Sequence, residues 1–130
     1  EFVFIASREQ QAAFRDFTPA ALHVHPLIAF ESCSGTRALI DGWFAAQGLA
    51  IAPVMQLGSI EAIKRMVRAG LGYSIVPRMA VEQEVDREGL CVMSLKPMLQ
   101  RQLAVVMRQD KILSKGIAAL IRLVQHPSAG

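Results

Sequence analysis

The chain has 130 residues, 52% of them hydrophobic and 19% charged, the composition of a packed globular domain, which excludes disordered or collagen-like sequence. Fourteen Lys and Arg against eleven Asp and Glu leave a formal charge of +3, scattered from Arg8 to Arg122 and too mild to mark a nucleic-acid surface. Apolar runs such as Val3 to Ala6 fall far short of the roughly 20 residues that cross a bilayer, so no membrane partner is expected.

The sequence opens at Glu1, with neither a methionine nor the basic and apolar regions of an export signal, so a piece of a longer cytoplasmic protein is expected. Two cysteines, Cys33 and Cys91, are too few and too far apart for a disulfide scaffold or a zinc site, which suits a reducing compartment. His23, His25 and His126 lack partners at ligand spacing, so no metal and no cofactor is expected.

Short strand-like runs alternate with helical patterns. Phe2–Ile5 reads as the first strand, and Thr18-Pro19 caps a short helical turn. Leu27–Phe30 is the second strand. A helix from about Gly35 to Gln47 follows, with Leu39, Ile40, Trp43 and Phe44 on one stripe and Gly48 as its stop. Ile51–Leu57 is the third strand, interrupted at Pro53. The clearest helix runs from Ile60 to Ala69, with Ile60, Ile63, Met66 and Val67 at helical spacing and an expected Glu61–Arg65 pair.

Tyr73–Val76 reads as the fourth strand, and Pro77 as the start of a helix carrying Val81 and Val85. Leu90–Leu95 and Leu103–Met107 are two further strands, with too little chain between them for a helical crossover. Ser114 caps a last helix whose face is Ile117, Leu120, Ile121 and Val124. The alternation predicts an α/β domain with a mainly parallel sheet covered by helices on both faces.

In such sheets ligands sit at the carboxyl ends of the strands, where helix N-termini present free amides. Two junctions fit. Glu31-Ser32-Cys33-Ser34-Gly35-Thr36-Arg37 offers three hydroxyls, a glycine and an arginine one turn in, all suited to a carboxylate or phosphate. Leu57-Gly58-Ser59-Ile60 opens the next helix and is expected on the same edge. Ordinary capping explains the serines and threonine equally well. Gly70-Leu71-Gly72 lies between a helix and a strand, the wrong order for a dinucleotide fingerprint, and reads as a helix stop and turn. Glu31–Gly35 lacks the leading glycine and the downstream acid and histidine of a nucleophile elbow. Cys33, at a helix start beside Arg37, is either a redox-responsive thiol or a silent one.

The stretch Leu57-Gly58-Ser59-Ile60-Glu61-Ala62-Ile63-Lys64-Arg65-Met66-Val67-Arg68-Ala69-Gly70-Leu71-Gly72-Tyr73-Ser74-Ile75-Val76-Pro77 closely resembles the signature of the effector-binding domain of LysR-type transcriptional regulators. Pro26–Phe30 running into Ser34-Gly35-Thr36-Arg37 and Trp43-Phe44 is similar to the strand and helix before it, and Arg101–Val106 with Asp110–Ser114 to the parts after it. The resemblance implies a periplasmic-binding-protein-like fold of two α/β lobes joined by crossover strands. Residues 1–7 would be the outgoing crossover strand, 8–101 the second lobe, 102–108 the return strand, and 109–130 a final helix and tail belonging to a first lobe that is mostly missing.

By the same resemblance Gly58, Ser59 and Ile60 match effector-cleft positions, with Ser32, Ser34 and Thr36 on the same edge. The function implied is uptake of a small, anionic metabolite by a homo-oligomer, dimer or tetramer, that reaches DNA only through an N-terminal domain outside this chain. A peroxide-sensing branch of the family uses a cysteine near Cys33, but its resolving partner is missing here. A stand-alone solute-binding protein for transport is the alternative, and an enzyme, for which no catalytic residue is found, comes third. The last helix, short of most of its lobe, is expected to fold back on the sheet, pair with another chain, or be poorly ordered.

Overall fold

In the computed structural model, which describes residues 1–83 and 89–101, the chain begins with β1 at Phe2–Ser7, an entirely buried strand. It continues through a 3-10 helix at Arg8–Ala13, α1 at Pro19–Leu22, β2 at Ile28–Phe30, α2 at Gly35–Ala45 and β3 at Met55–Leu57. Then come α3 at Ile60–Arg68, β4 at Ser74–Pro77, a 3-10 turn at Arg78–Ala80 and β5 at Leu90–Leu99.

β1 pairs antiparallel with β4 on one side and β5 on the other, while β2 pairs parallel with β3. A parallel bridge between Leu27 and Tyr73 joins the two groups, held by Tyr73 N donating to Pro26 O at 3.0 Å and Ile28 N to Tyr73 O at 2.8 Å. The strand order is therefore β3-β2-β4-β1-β5.

The α/β class stands, but the mainly parallel sheet needs correcting, because both ladders of β1 are antiparallel. The cause is the place of one strand. Helical crossovers through α2 and α3 keep β2, β3 and β4 pointing one way. β5, opposed to β1 as β4 is, shares that direction. β1 alone runs against them, and it sits between β4 and β5. Burial of all six of its residues requires cover on both faces there.

Local signals account for most elements. Thr18 Oγ1 accepts from Ala21 N and caps α1 with Pro19 in its first turn. Gly48 (φ +71°) and Gly70 (φ +80°) take the left-handed conformation just past α2 and α3. Phe4 lies at 4.8, 4.9 and 5.5 Å from the rings of Phe14, Phe17 and Tyr73, an aromatic cluster in which the Tyr73 hydroxyl donates to Leu22 O at 3.0 Å.

Other expectations shift. β3 is shorter than Ile51–Leu57, since Pro53 brings no N–H to a ladder. β5 is longer, reaching Leu99 through a register jump from Val3↔Ser94 to Phe2↔Leu99. The residues between are tied elsewhere: Trp43 Nε1 donates to Pro97 O at 2.8 Å, and Lys96 N to Phe17 O at 3.0 Å. Glu61 pairs with Lys64 at 2.8 Å rather than with Arg65. The 3-10 helix at Arg8–Ala13, with no apolar period to betray it, is held by Gln10 Nε2 donating to Gly70 O at 2.7 Å.

Where a helix is expected from Pro77, the described residues up to 83 form only the short turn Arg78–Ala80. Val85, the strand expected at Leu103–Met107 and the helix expected at Ser114–Gln125 lie outside the described residues, and so does the cover expected for that helix. No helix among the described residues is long and apolar enough to cross a membrane.

Candidate functional site

The carboxyl ends of β2, β3, β4 and β5 all meet one edge of the sheet. Phe30 faces Leu57, while Pro77 and Leu99 both face Phe2 at the start of β1. α2 and α3 begin on this edge, directly after Phe30 and Leu57. Their lead-in turns are joined, since Glu31 N donates to Leu57 O at 3.2 Å. The two junctions singled out in the sequence are neighbours.

Each expected site residue has a definite place. Ser34 Oγ accepts from Arg37 N at 2.9 Å and caps α2, and Ser59 Oγ accepts from Ala62 N at 3.3 Å and caps α3. Both hydroxyls keep their proton for a ligand, because capping uses only a lone pair. Ser32 is exposed, and Ile60 is half-buried and packs on the core. Thr36, half-buried one residue into α2, accepts a hydrogen bond from the Arg101 guanidinium. Gly58 is exposed, but the Glu31 carboxylate lies over it: a Cβ at Gly58 would sit 3.1 Å from Glu31 Oε1.

Arg37 has another task. It is 8% exposed, its Nη1 donates to Phe30 O at 3.0 Å and Gln56 Oε1 at 3.1 Å, and its Nε pairs with Asp41 at 2.8 Å. It therefore ties α2 to the ends of β2 and β3, and is not the ligand-facing cation its position in the sequence suggested. A buried guanidinium held this way fixes geometry more than it adds stability.

Arg101 is the residue that sequence reasoning missed as a contact. It lies two residues past β5, and besides meeting Thr36 it places its guanidinium 5.4 Å from the centre of the Phe2 ring. On one side it borders an open depression of about 700 Å³ with Gly35, Thr36, Leu39 and Gln100. On the other it borders one of about 350 Å³ with Glu1, Phe2, Pro77, Arg78, Met79 and Glu82. Only the pairing of β5 with β1 carries Arg101 to α2, and no local pattern in the sequence signals that.

Beside the site, the Lys64 ammonium bonded to Glu61 holds that carboxyl below its ordinary value. Lys64 Nζ also donates to Ala80 O at 3.1 Å, joining α3 to the turn after β4. Cys33 is exposed on the site edge, whereas Cys91 is buried opposite Ala6 towards the other edge, where burial pushes its thiol up. Among the described residues no cluster of His, Cys, Asp or Glu is placed to hold a metal.

Capped helix starts, hydroxyls and a cation on the carboxyl edge of an α/β sheet form the kind of edge at which such sheets bind small molecules. Residues 1–127 match the family described as LysR substrate binding domain, and the chain belongs to that family. It is 32% identical over 125 residues to the HTH-type transcriptional regulator YfeR of Shigella flexneri, itself uncharacterized, covering 95% of this chain and 40% of that protein. The regulatory domain of Synechocystis PCC6803 CcmR, solved in complex with 2-PG, superposes with a TM-score of 0.72 at 23% identity over 95% of this chain and 60% of that one. The effector-binding domain of QuiR in complex with shikimate gives a TM-score of 0.67 at 19% identity over 95% and 59%. Likeness at that level of identity shows the fold. The chain spans about a third to two fifths of the length of the curated relatives it matches.

Proposed function

We propose that this chain is the greater part of the effector-reading module of a LysR-type transcriptional regulator, and that it binds a small anionic metabolite at the carboxyl edge of its sheet. The observation that carries the proposal is the joining of the two capped helix starts, Glu31 N to Leu57 O, which brings the turn that leads into α2 next to the turn that leads into α3; Ser32, Ser34 and Thr36 on the first and Gly58, Ser59 and Ile60 on the second are the residues proposed to meet the effector. Two helix dipoles then open on one edge; Glu31 already faces the start of α3, so the amides and hydroxyl protons at the start of α2 are the ones that favour an added negative charge.

On this reading residues 8–101 act as the second lobe, with residues 1–7 and 102–108 as crossover strands and 109–130 belonging to a first lobe of which this chain carries only a small part. Effector closure between the lobes biases the arrangement of subunits in a cytoplasmic homo-oligomer, whose DNA-binding domains lie outside this chain. The small net charge of +3 suits a ligand-reading role. The family supports a regulator and not an enzyme: the relative reported above is a transcriptional regulator.

The test is a ligand screen of the full-length protein by thermal shift, with carboxylated and phosphorylated metabolites, 2-PG and shikimate among them. The expected result is a rise in melting temperature with an anionic compound, and at least about fivefold weaker affinity for it in Ser59→Ala and Thr36→Val. A screen in which only neutral compounds bind, or in which both variants bind as tightly as the parent, refutes the proposal.

A further inference from the structure

The binding edge carries charge of both signs, at separate places. Glu31 packs its carboxylate on Gly58, at the positive end of α3, and among the described residues that carboxylate has no hydrogen-bond partner. Arg101 stands at the other side, over the first turn of α2. Its guanidinium has five N–H donors, of which Thr36 takes one; Glu82 and Glu1, the latter paired with Arg78, line the depression on its far side, but among the described residues neither forms an ion pair with it. The start of α3 is thus already faced by an anion of the chain itself, while the start of α2 is faced by a cation with donors to spare.

From this division we infer that the effector is a hydroxylated acid, held in one orientation. Its carboxylate or phosphate lies against Arg101, Thr36 and the α2 amides, and its hydroxyl groups donate to Glu31. An ionised carboxylate only accepts, so it rewards a donor and repels a second anion. Arg101 and Glu31 are then the residues that set specificity. The inference rests on the effector-binding reading above, and adds the class and direction of the ligand.

The experiment measures affinity of the full-length protein by calorimetry for three probes: sulfate, which carries no donor; shikimate, a carboxylate with three ring hydroxyls; and cyclohex-1-ene-1-carboxylate, the same ring without them. The parent should prefer shikimate to the bare ring acid by about tenfold or more. Arg101→Gln should weaken sulfate and shikimate alike, by about tenfold. Glu31→Gln should abolish most of the preference for shikimate while leaving sulfate unchanged or tighter. Gly58→Ala shifts the carboxylate by a few tenths of an ångström without altering its charge, and should lower the same preference less than Glu31→Gln does. Far-UV dichroism of each variant must match the parent.

Equal affinity of the parent for the two ring acids overturns the inference, as does sulfate binding indifferent to Arg101→Gln or a Glu31→Gln variant that weakens every probe equally. Those outcomes leave effector binding itself intact. A parent that binds none of the three overturns this inference, and the wider screen then decides the reading beneath it.

Discussion

Substitution of Gly72 by alanine should destabilise the domain by about 3 kcal/mol, although the backbone there needs no left-handed angle. An alanine Cβ would lie 2.6 Å from Pro26 O, well inside an ordinary carbon–oxygen contact of about 3.3 Å. The obstacle is main chain, and it cannot rotate away. Relief requires β2 and β4 to separate at the point where Tyr73 N reaches Pro26 O at 3.0 Å and Ile28 N reaches Tyr73 O at 2.8 Å. Overpacking of this kind costs roughly 1–3 kcal/mol, and weakening two hydrogen bonds adds roughly 0.5–1.5 kcal/mol each when they are lost outright. Gly42 is the control. It is exposed in the interior of α2 with nothing within 4 Å of its would-be Cβ, so Gly42→Ala should stabilise by about 0.5–1 kcal/mol. Thermal unfolding followed by calorimetry should show Gly72→Ala melting about 10 °C lower and Gly42→Ala a few degrees higher. Two substitutions with the same sign, or a Gly72→Ala shift under about 2 °C, would refute the close approach on which the strand order depends.

Removing the buried guanidinium in Arg37→Ala leaves Phe30 O and Gln56 without a donor and should cost about 3 kcal/mol, while Asp41→Ala, on the half-exposed partner, should cost under about 1 kcal/mol; urea denaturation compares them. Burial raises the Tyr73 phenol above its ordinary value of 10.0, so its contribution is complete below that pH and is lost as pH climbs towards the raised value; Tyr73→Phe should cost about 1 kcal/mol at neutral pH and flatten the alkaline decline of stability. Thiol reagents should modify Cys33 at once and Cys91 only on unfolding, and two equally fast thiols would contradict the burial of Cys91.

What could be read in the sequence was what local chemistry decides. Thr18 before Pro19, Ser59 before the apolar period of α3, and Gly48 and Gly70 beyond the helix ends each act within a few residues, and each lies where expected. The two hydroxyl-rich junctions were visible for the same reason, and so was their sharing of an edge, because helical crossovers fix strand direction. The insertion of β1 between β4 and β5 was not visible, since pairing between segments so distant in sequence, Ile5 with Ser74 or Phe2 with Leu99, leaves no periodic trace in either. The detachment of Leu95–Met98 from the ladder depends on Trp43, 54 residues from Pro97, and was hidden in the same way.

The same distinction sorts the arginines. Arg37 stands among the candidate hydroxyls in sequence, and any motif-based reading points it at the ligand; the fold turns it inward to Phe30 O and Gln56. Arg101 stands outside every motif, and the fold brings it to Thr36 by way of a ladder with β1. A guanidinium whose donors are spent on a backbone carbonyl, a glutamine amide and a carboxylate can position a site but has little left to offer a metabolite, whereas one anchored by a single hydroxyl and an aromatic face is held still with most of its donors unspent. Exchanging each for lysine therefore separates the two roles. Arg37→Lys should lower stability, because a point charge cannot serve Asp41, Phe30 O and Gln56 together, and should change ligand affinity only as far as the end of β2 moves. Arg101→Lys should leave stability within about 0.5 kcal/mol and weaken anion binding severalfold, since the charge survives and the planar fork does not.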